Sequence, residues 1–148
     1  MILACALVRS APGAGARPLD LGAQARAANA AGAPLVVMYT QPDCRYCERA
    51  KRDYLEPMTD AGPHERLRLV EVDITSAAPL TDFAGQASTH LEFARAQRAR
   101  FTPTLGFFDA RGTPLADPLV GLTVPDLYQG LLDRRLEQAR ARLRRAVQ

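Results

Sequence analysis

The sequence predicts an α/β protein in which helices flank a central, mixed sheet of four strands. Short apolar segments alternate with longer segments of helical periodicity, and this alternation is typical of a sheet with helices on both faces. A turn at residues 109–112 joins two neighbouring strands, which predicts antiparallel pairing within the same sheet. The chain has 148 residues, 47% of them hydrophobic, so it is long enough for one domain core and too short for two full domains.

An additional helix precedes the first strand. Residues 20–31 are rich in alanine and other good helix formers, and Asp20 is placed to cap their N-terminus. Gly32 ends this segment. Residues 35–39 then form a short continuous apolar run with two adjacent valines, which is typical of a buried strand.

The second helix and the second strand follow this run. The helix begins at Cys44, and Pro57 is expected to end it near residue 55, because proline has no N–H group for a continuing helix. Residues 67–74 are mostly apolar and indicate a second buried strand. The next segment, residues 75–86, contains alanine, proline and glycine and is expected to be an irregular insert before the third helix.

A capping box marks the start of the third helix. Thr89 and Glu92 have the spacing of this motif, so a helix is expected over residues 89–99. Residues 101–103 break that helix, and residues 105–108 form the third strand.

The fourth strand and the last helix complete the fold. The strand is expected at residues 118–121, where a neighbouring proline favours the edge of a sheet. The helix is expected to start with Thr123 as N-cap and Asp126 in its first turn, where the helix dipole favours an acid. The side chains that recur at helical spacing and predict its core face are Leu127, Leu131, Leu132, Leu136, Ala139 and Leu143.

The net charge of +3 resides at the C-terminal end, since residues 126–148 carry six arginines against three acidic residues. A nucleic-acid-binding domain would be expected to carry its basic residues on one face of the fold, so this distribution argues against nucleic acid as a partner. No apolar run approaches the roughly 20 residues that span a bilayer, so no integral membrane segment is expected. We expect a monomer whose arginine-rich end is the solvated face and frayed end of a helix.

Residues 1–16 resemble a secretory signal peptide, and residues 17–148 are expected to form the folded domain. The apolar run 2–8 is followed by Ala-Gly-Ala at residues 14–16, which fits a signal-peptide cleavage site. The sequence therefore predicts export to the periplasm. The alternative is a short alanine-rich arm, in which case the protein is cytoplasmic. Cys5 lies in this segment and is assigned no role.

The most informative motif is Cys44-Arg45-Tyr46-Cys47, which follows a buried strand and opens a helix. A thiol at a helix start faces unpaired N–H groups and the positive end of the helix dipole, so the pKa of Cys44 is expected to fall below its free value of about 8.5. Cys47 lies one turn further on the same face, where it can attack a mixed disulfide formed on Cys44. Tyr46 is expected to line this site, and Arg45 adds positive charge beside the thiolate.

Other interpretations of the cysteine pair are open. A structural zinc site would need two more ligands, and His64 and His90 do not stand in a second ligand pair. A purely structural disulfide across a two-residue gap would make a strained, reducible loop. Capture of a soft metal such as Cu(I) would make the protein a binding module, although no methionine or histidine cluster lies near Cys44. Thiol exchange is the leading interpretation, and it requires no metal and no organic cofactor.

The order of these motifs resembles the thioredoxin superfamily. A strand leads into C-x-x-C at a helix start, the second strand ends in Val72-Asp73-Ile74, and Phe101-Thr102-Pro103-Thr104 precedes a further strand. The likeness extends over about residues 35–143. In that family the proline at the position of Pro103 is cis and packs beside the cysteines, and the residue before it, here Thr102, presents its backbone to the substrate peptide. The resemblance implies a thioredoxin fold and these same two roles.

Several positions differ from cytosolic thioredoxin. That protein has Trp before the first cysteine and Gly-Pro between the two, whereas this sequence has Asp43 and Arg45-Tyr46. The buried acid that accepts a proton there corresponds to Met38, so proton transfer would need Glu48, water or another group. Glu48 is also spaced to form an ion pair with Arg52 one turn further on.

Other features resemble exported members of the superfamily. Tyr before the second cysteine and Thr before the proline resemble the periplasmic DsbC and DsbG group, whereas residues 39–44 and the 75–86 insert resemble SoxW-type proteins. The resemblance implies a thiol:disulfide oxidoreductase that acts on protein thiols and disulfides in the periplasm. We expect a reductant that a membrane electron donor keeps reduced; an oxidant that inserts disulfides is the alternative.

Overall fold

The computed structural model describes residues 17–59, 67–122 and 124–147. In chain order the elements are β1 (Leu19–Asp20), α1 (Leu21–Ala30), β2 (Leu35–Thr40), α2 (Arg45–Ala50), a π-helical turn (Lys51–Leu55), α3 (Glu56–Thr59), β3 (Arg68–Asp73), β4 (Pro79–Thr81), β5 (Ala87–Thr89), α4 (His90–Ala96), β6 (Thr104–Phe108), β7 (Pro114–Val120) and α5 (Pro125–Val147). The predicted signal peptide at residues 1–16, the predicted N-cap Thr123, and His64 lie outside the described residues.

The central sheet has four strands in the order β3-β2-β6-β7. Strand β2 is parallel to β3 and antiparallel to β6, and β6 is antiparallel to β7. The predicted mixed sheet is therefore confirmed, with the last strand at its edge. The strand was predicted to start at residue 118, but in the structure it starts at Pro114. The sequence does not indicate the first half of this strand, because Asp117 and Pro118 interrupt the apolar pattern, and its pairing with β6 is irregular.

Alternate side chains of β2 enter two separate cores. Val36 and Met38 belong to the core that contains residues of α2 and α5. Leu35, Val37 and Tyr39 belong to the core that contains residues of α1 and α4. All five are at most 3% exposed, so β2 is buried on both faces, as its continuous apolar run predicted.

The second helix continues past Pro57, contrary to the prediction. The N–H group of Glu56 donates to the carbonyl of Lys51, five residues back, so the helix widens into a π-helical turn before α3. Pro57 therefore lies in the first turn after a break in the α-helical hydrogen-bond pattern, where its missing N–H group interrupts no continuous ladder. Leu55, at the end of the π-helical turn, is fully buried.

The insert at residues 75–86 was predicted to be irregular, and this prediction is wrong. The insert contributes strand β4 to a second small sheet of order β1-β4-β5. Strand β4 is parallel to β1 and antiparallel to β5. These strands have two or three residues each, too few to show a period in the sequence. The ring of Phe83 in this insert lies 5.8 Å from that of Phe93 and 5.1 Å from that of Phe108, so the insert covers the core on the α1 and α4 face.

Both predicted N-caps of the first and third helices are confirmed. Asp20 Oδ1 accepts from the N–H group of Ala23 at 2.8 Å. Glu92 N–H donates to Thr89 Oγ1 at 3.2 Å, and Thr89 N–H donates to Glu92 Oε2 at 3.1 Å, which completes the capping box. Helix α4 stops short of residue 99, its predicted end, because the chain turns at Arg98, whose φ of 56° is left-handed.

Helix α5 begins at Pro125, a residue favoured in the first helical position because the N–H group there has no partner within the helix. Its predicted core face is buried at Leu132, Leu136, Ala139 and Leu143. The prediction is wrong for Leu127, which is 61% exposed, because Tyr128 fills the core in that turn. No helix in the described segments is long and apolar enough to cross a membrane.

Candidate active site

Local backbone geometry positions the first cysteine at a helix start. The chain leaves β2, turns through Asp43 with a left-handed φ of 59°, and enters α2 with Cys44 as the N-cap. Aspartate is among the few residues other than glycine that adopt this conformation readily. The N–H group of Cys47 donates to Cys44 Sγ at 3.2 Å, so the helix start directs a backbone donor at this sulfur.

The two cysteines form a disulfide. The Sγ atoms of Cys44 and Cys47 lie 2.11 Å apart and the Cα atoms 5.2 Å apart. Cys47 is fully buried and belongs to the core between the sheet and helices α2 and α5, whereas Cys44 is half-buried. A partner molecule approaching from solvent therefore meets the sulfur of Cys44 and not that of Cys47.

A cleft of about 440 Å³ lies beside the start of α2. Its lining includes Tyr46 from α2 together with Thr102 and Pro103 from the segment before β6. The Thr102–Pro103 peptide bond is cis, as the family resemblance implied. The structure thus brings together three of the four residues that the sequence predicted to bind substrate.

The fourth residue, Arg45, does not line this cleft. Its guanidinium carbon lies 6.0 Å from the centroid of the Tyr46 ring, a distance typical of a weak cation–π contact, and both side chains are exposed. Arg45 therefore lies next to a residue that lines the cleft but does not line it itself.

Four cleft residues were not singled out in the sequence. Arg49 could have been found, because it follows Tyr46 by three positions and so lies on the same face of α2. Gly121, Leu122 and Pro125 carry no local signal. Gly121 and Leu122 follow strand β7, and Pro125 begins helix α5. Gly121 lies next to the segment before β6, because its N–H group donates to the carbonyl of Pro103 at 2.7 Å.

The predicted ion pair of Glu48 with Arg52 is wrong. Glu48 pairs instead with Lys51 at 2.8 Å, and Lys51 also contacts Glu71 at 3.3 Å. Arg52 pairs with its neighbour Asp53, which draws it away from Glu48. The hydrogen bond with Glu48 is the largest of the effects that raise the pKa of Lys51, so this lysine stays positively charged close to the dithiol helix.

Burial affects three further titratable groups. It raises the pKa of Tyr128 to about 12 and that of Tyr39 further still, so both hydroxyls stay neutral. Burial lowers the pKa of His90, and the carboxylate of Asp73 opposes this effect. His90 Nδ1 accepts from the N–H group of Asp73 at 3.2 Å, which requires the neutral ring. Within the described segments, no three His, Cys, Asp or Glu side chains cluster as a metal site would require.

The fold and the site can be compared with known proteins. The sequence matches the thioredoxin-like domain family over residues 21–135. No curated protein sequence matches the chain.

Solved structures with the same fold are similar to the chain at low sequence identity. DsbH oxidoreductase matches with a TM-score of 0.52 and 18% identity over 91% of this chain and 95% of that one. A thioredoxin-fold protein from Helicobacter pylori matches with a TM-score of 0.53 and 18% identity, over 76% of this chain and 82% of that one. The periplasmic thioredoxin SoxS from Paracoccus pantotrophus, in its reduced form, matches with a TM-score of 0.50 and 18% identity, over 72% and 98%.

A thioredoxin fold with a C-x-x-C pair at the start of the helix after β2 defines the class of this protein, which is that of the thiol:disulfide oxidoreductases. The family match covers most of the sequence and includes both cysteines. The chain belongs to the thioredoxin-like domain family.

Proposed function

We propose that the protein reduces disulfide bonds in exported proteins, with Cys44 as the attacking thiol and Cys47 as the resolving thiol. The observation that carries this proposal is the unequal burial of the two sulfurs. Cys44 is half-buried at the start of α2, and Cys47 is fully buried behind it. Only Cys44 is accessible to a substrate disulfide.

The reaction transfers two electrons in two exchanges. The Cys44 thiolate attacks one sulfur of the substrate disulfide, and the other substrate sulfur leaves as a thiolate and takes up a proton. The N–H group of Cys47 and the positive end of the helix dipole stabilise the Cys44 thiolate before this attack. Cys47 then loses its proton and attacks Cys44 Sγ, which releases the second substrate thiol and leaves the Cys44–Cys47 disulfide. The substrate is reduced and the protein is oxidised.

The cleft beside α2 is the proposed binding site for the substrate polypeptide. Thr102 and Pro103 form one side of it and Tyr46 the other. The family resemblance gives the backbone of Thr102 the role of pairing with the substrate peptide. Arg45, beside Tyr46 and exposed, is placed to contact a substrate at the edge of the cleft. Water is the proposed proton acceptor for Cys47, because Met38 is apolar and the carboxylate of Glu48 is paired with Lys51.

The proposed compartment is the periplasm, and the proposed electron source is a membrane donor. Residues 2–8 and the Ala-Gly-Ala at 14–16 support export. The similarity to a periplasmic thioredoxin supports the same compartment. A membrane electron donor is proposed because the resemblance to exported members of the superfamily implies a reductant that such a donor keeps reduced.

Cysteine variants test the two assigned roles. We expect Cys44→Ser to abolish reduction of insulin disulfides with dithiothreitol as the electron source. Cys47→Ser, reduced beforehand and then freed of dithiothreitol, should instead accumulate a mixed disulfide between Cys44 and the substrate, visible by non-reducing electrophoresis and mass spectrometry. Ala84→Ser, at an exposed position that does not line the cleft, is the control and should leave the rate unchanged. If Cys44→Ser reduced insulin as fast as the unchanged protein, Cys44 would not be the nucleophile.

The direction of electron flow is tested separately by equilibrating the protein with glutathione buffers of known potential. A reductant should show a potential close to the value of about −270 mV found for thioredoxin. A value near −120 mV, as in the oxidant DsbA, would contradict the reductant proposal and favour disulfide insertion.

A further inference from the structure

A second cavity, of about 190 Å³, opens between the end of α4 and the hairpin formed by β6 and β7. Its buried lining includes Tyr39, Phe108 and Ala116. Its exposed lining includes Phe101, which is 69% exposed, and Val120, which is 50% exposed. The cavity therefore has an apolar interior and an apolar rim that solvent reaches. An apolar cavity of about 150 Å³ holds a benzene molecule, so this one is large enough for an aromatic ring.

This cavity adjoins the cleft beside α2, whose lining includes Tyr46 of the C-x-x-C motif. Phe101 lines the cavity, and the next two residues, Thr102 and Pro103, line the cleft. In the same way Val120 lines the cavity and Gly121 lines the cleft. Since neighbouring Cα atoms are about 3.8 Å apart, a polypeptide bound in the cleft needs only a few residues to reach the cavity.

The charges at the cavity are all of one sign. Arg98 and Arg100 are its only charged lining residues within the described part of the chain, and both side chains are exposed. Neither forms an ion pair with another described residue. The rim therefore offers two guanidinium groups to a carboxylate beside an apolar side chain.

The backbone at Arg98 is a second unusual feature of this rim. Its φ of 56° lies in the left-handed region, and a glycine usually occupies this position after a helix. Arginine is unfavourable in this conformation, and unfavourable conformations of this kind are common at ligand sites. With this backbone conformation, the side chain of Arg98 lines the cavity.

We propose that this cavity is a specificity subsite of the redox site. It binds a large apolar side chain of the substrate polypeptide, a few residues from the substrate cysteine, and Arg98 with Arg100 binds an adjacent acidic residue. This inference rests on the proposed function, because it assigns the class of polypeptide that the dithiol reduces. The preferred substrates carry an apolar-acidic pair close to the disulfide.

Peptide disulfides that release a coloured thiol on reduction test the subsite. One pair of peptides carries Phe-Glu three residues before or three residues after the cysteine, and a reference pair carries Ser-Lys at the same places. We expect kcat/KM to be roughly tenfold higher for at least one Phe-Glu peptide, a discrimination within the range of a single apolar pocket. Charge reversal in Arg98→Glu with Arg100→Glu, or removal of the apolar rim in Val120→Ser, should reduce this preference to less than about twofold.

The controls separate this inference from the proposed function. Arg95→Glu reverses an exposed arginine on α4 that does not line the cavity, and it should leave the preference unchanged. All variants should reduce a small uncharged disulfide such as 2-hydroxyethyl disulfide at the rate of the unchanged protein, because it offers no apolar side chain and no carboxylate to the subsite. Equal rates for both peptide pairs in the unchanged protein would overturn the subsite and leave the oxidoreductase intact. Failure to reduce any disulfide would overturn the proposed function and the subsite with it.

Discussion

Cys44 occupies the helix position at which Ser, Thr, Asp or Asn is usually found. The side-chain atom at an N-cap accepts a hydrogen bond from a backbone N–H group two or three residues further on. Here that atom is the sulfur of Cys44, and the donor belongs to Cys47, the other member of the disulfide. We therefore propose that the hydrogen bond that starts the helix also stabilises the Cys44 thiolate once the disulfide is reduced.

His90 gives the stability of the protein a pH dependence whose sign follows from its environment. Burial lowers the pKa of His90 below the ordinary value of about 6.5, so the folded protein binds a proton less readily than the unfolded chain. Its contribution to stability is fully present above pH 6.5 or so and is lost as the pH falls through the lower, folded-state pKa. We expect the urea concentration at the midpoint of unfolding to be lower at pH 5.5 than at pH 7.5.

The variant His90→Gln isolates this effect. Glutamine does not titrate, so the fall in urea midpoint between the two pH values should be smaller in the variant. His64 remains in both proteins and cancels in the comparison. An equal fall in both proteins would show that His90 is not the group responsible.

Tyr54 and Tyr39 differ in the hydrogen bonding of their hydroxyls, so replacing each with phenylalanine should change the stability of the protein differently. Tyr54 donates from its hydroxyl to the carbonyl of Pro125 at 3.0 Å, so Tyr54→Phe should destabilise the protein by about 1 kcal/mol. The buried hydroxyl of Tyr39 has no partner among the described residues, so Tyr39→Phe should be neutral or stabilising by up to about 1 kcal/mol. Urea unfolding of the two variants measures the difference. A loss of stability in Tyr39→Phe as large as that in Tyr54→Phe would contradict this assignment.

At the scale of elements, the turn between β6 and β7 depends on its contact with the 75–86 insert. Gly112 has a left-handed φ of 80°, and a Cβ atom placed on it would lie 2.6 Å from Cδ2 of Phe83. Gly112→Ala should therefore cost about 2–3 kcal/mol, from the backbone conformation and the displaced ring together. Gly32 has a similar φ with open space around it, so Gly32→Ala should cost only about 1 kcal/mol.

A double-mutant cycle separates the two contributions to the cost at Gly112. In a Phe83→Ala background the ring is absent, so Gly112→Ala should cost about as much as Gly32→Ala. The free energies of unfolding of all five proteins provide this comparison. An undiminished cost of Gly112→Ala in that background would mean that the ring contact is not responsible.

Elements with strong local signals could be predicted from the sequence. The caps at Asp20 and Thr89, the buried strand β2 and the helix start at Cys44 each depend on a few adjacent residues. The small second sheet could not be predicted, because its strands are stabilised by pairing between segments distant in sequence. The prediction that Pro57 ends the second helix was wrong, because the π-helical turn before it allows the helix to continue and the sequence shows no signal for that turn.

At the scale of the whole molecule, the candidate site combines residues from three separate parts of the chain, within 44–49, 102–103 and 121–125. Cys44, Cys47 and Tyr46 could be predicted because they lie in one motif, and Thr102 with Pro103 because of their resemblance to a known family. Gly121 could not be predicted, since its place in the cleft depends on the pairing of β7 with β6. The second cavity was missed for the same reason.

Helix α5 contributes to the stability of the whole domain almost to its C-terminal end. Leu143 is 7% exposed and belongs to the core shared with α2, so Leu143→Ala should destabilise the protein by about 2–3 kcal/mol. The adjacent Arg144 is exposed, and Arg144→Ala should change stability by less than about 0.5 kcal/mol. Thermal or urea unfolding distinguishes the two. A negligible effect of Leu143→Ala would show that the end of the helix does not contribute to the core.

The burial of Cys47 connects electron transfer to the packing of the interior. Its sulfur lies in one core with Met38, Leu105 and side chains of α5, so the oxidised and reduced proteins differ by a bond inside that core. A substitution that favours one of these two states over the other changes the reduction potential, by about 30 mV for each 1.4 kcal/mol. We therefore expect substitutions of apolar residues in this core to shift the reduction potential of the Cys44–Cys47 pair.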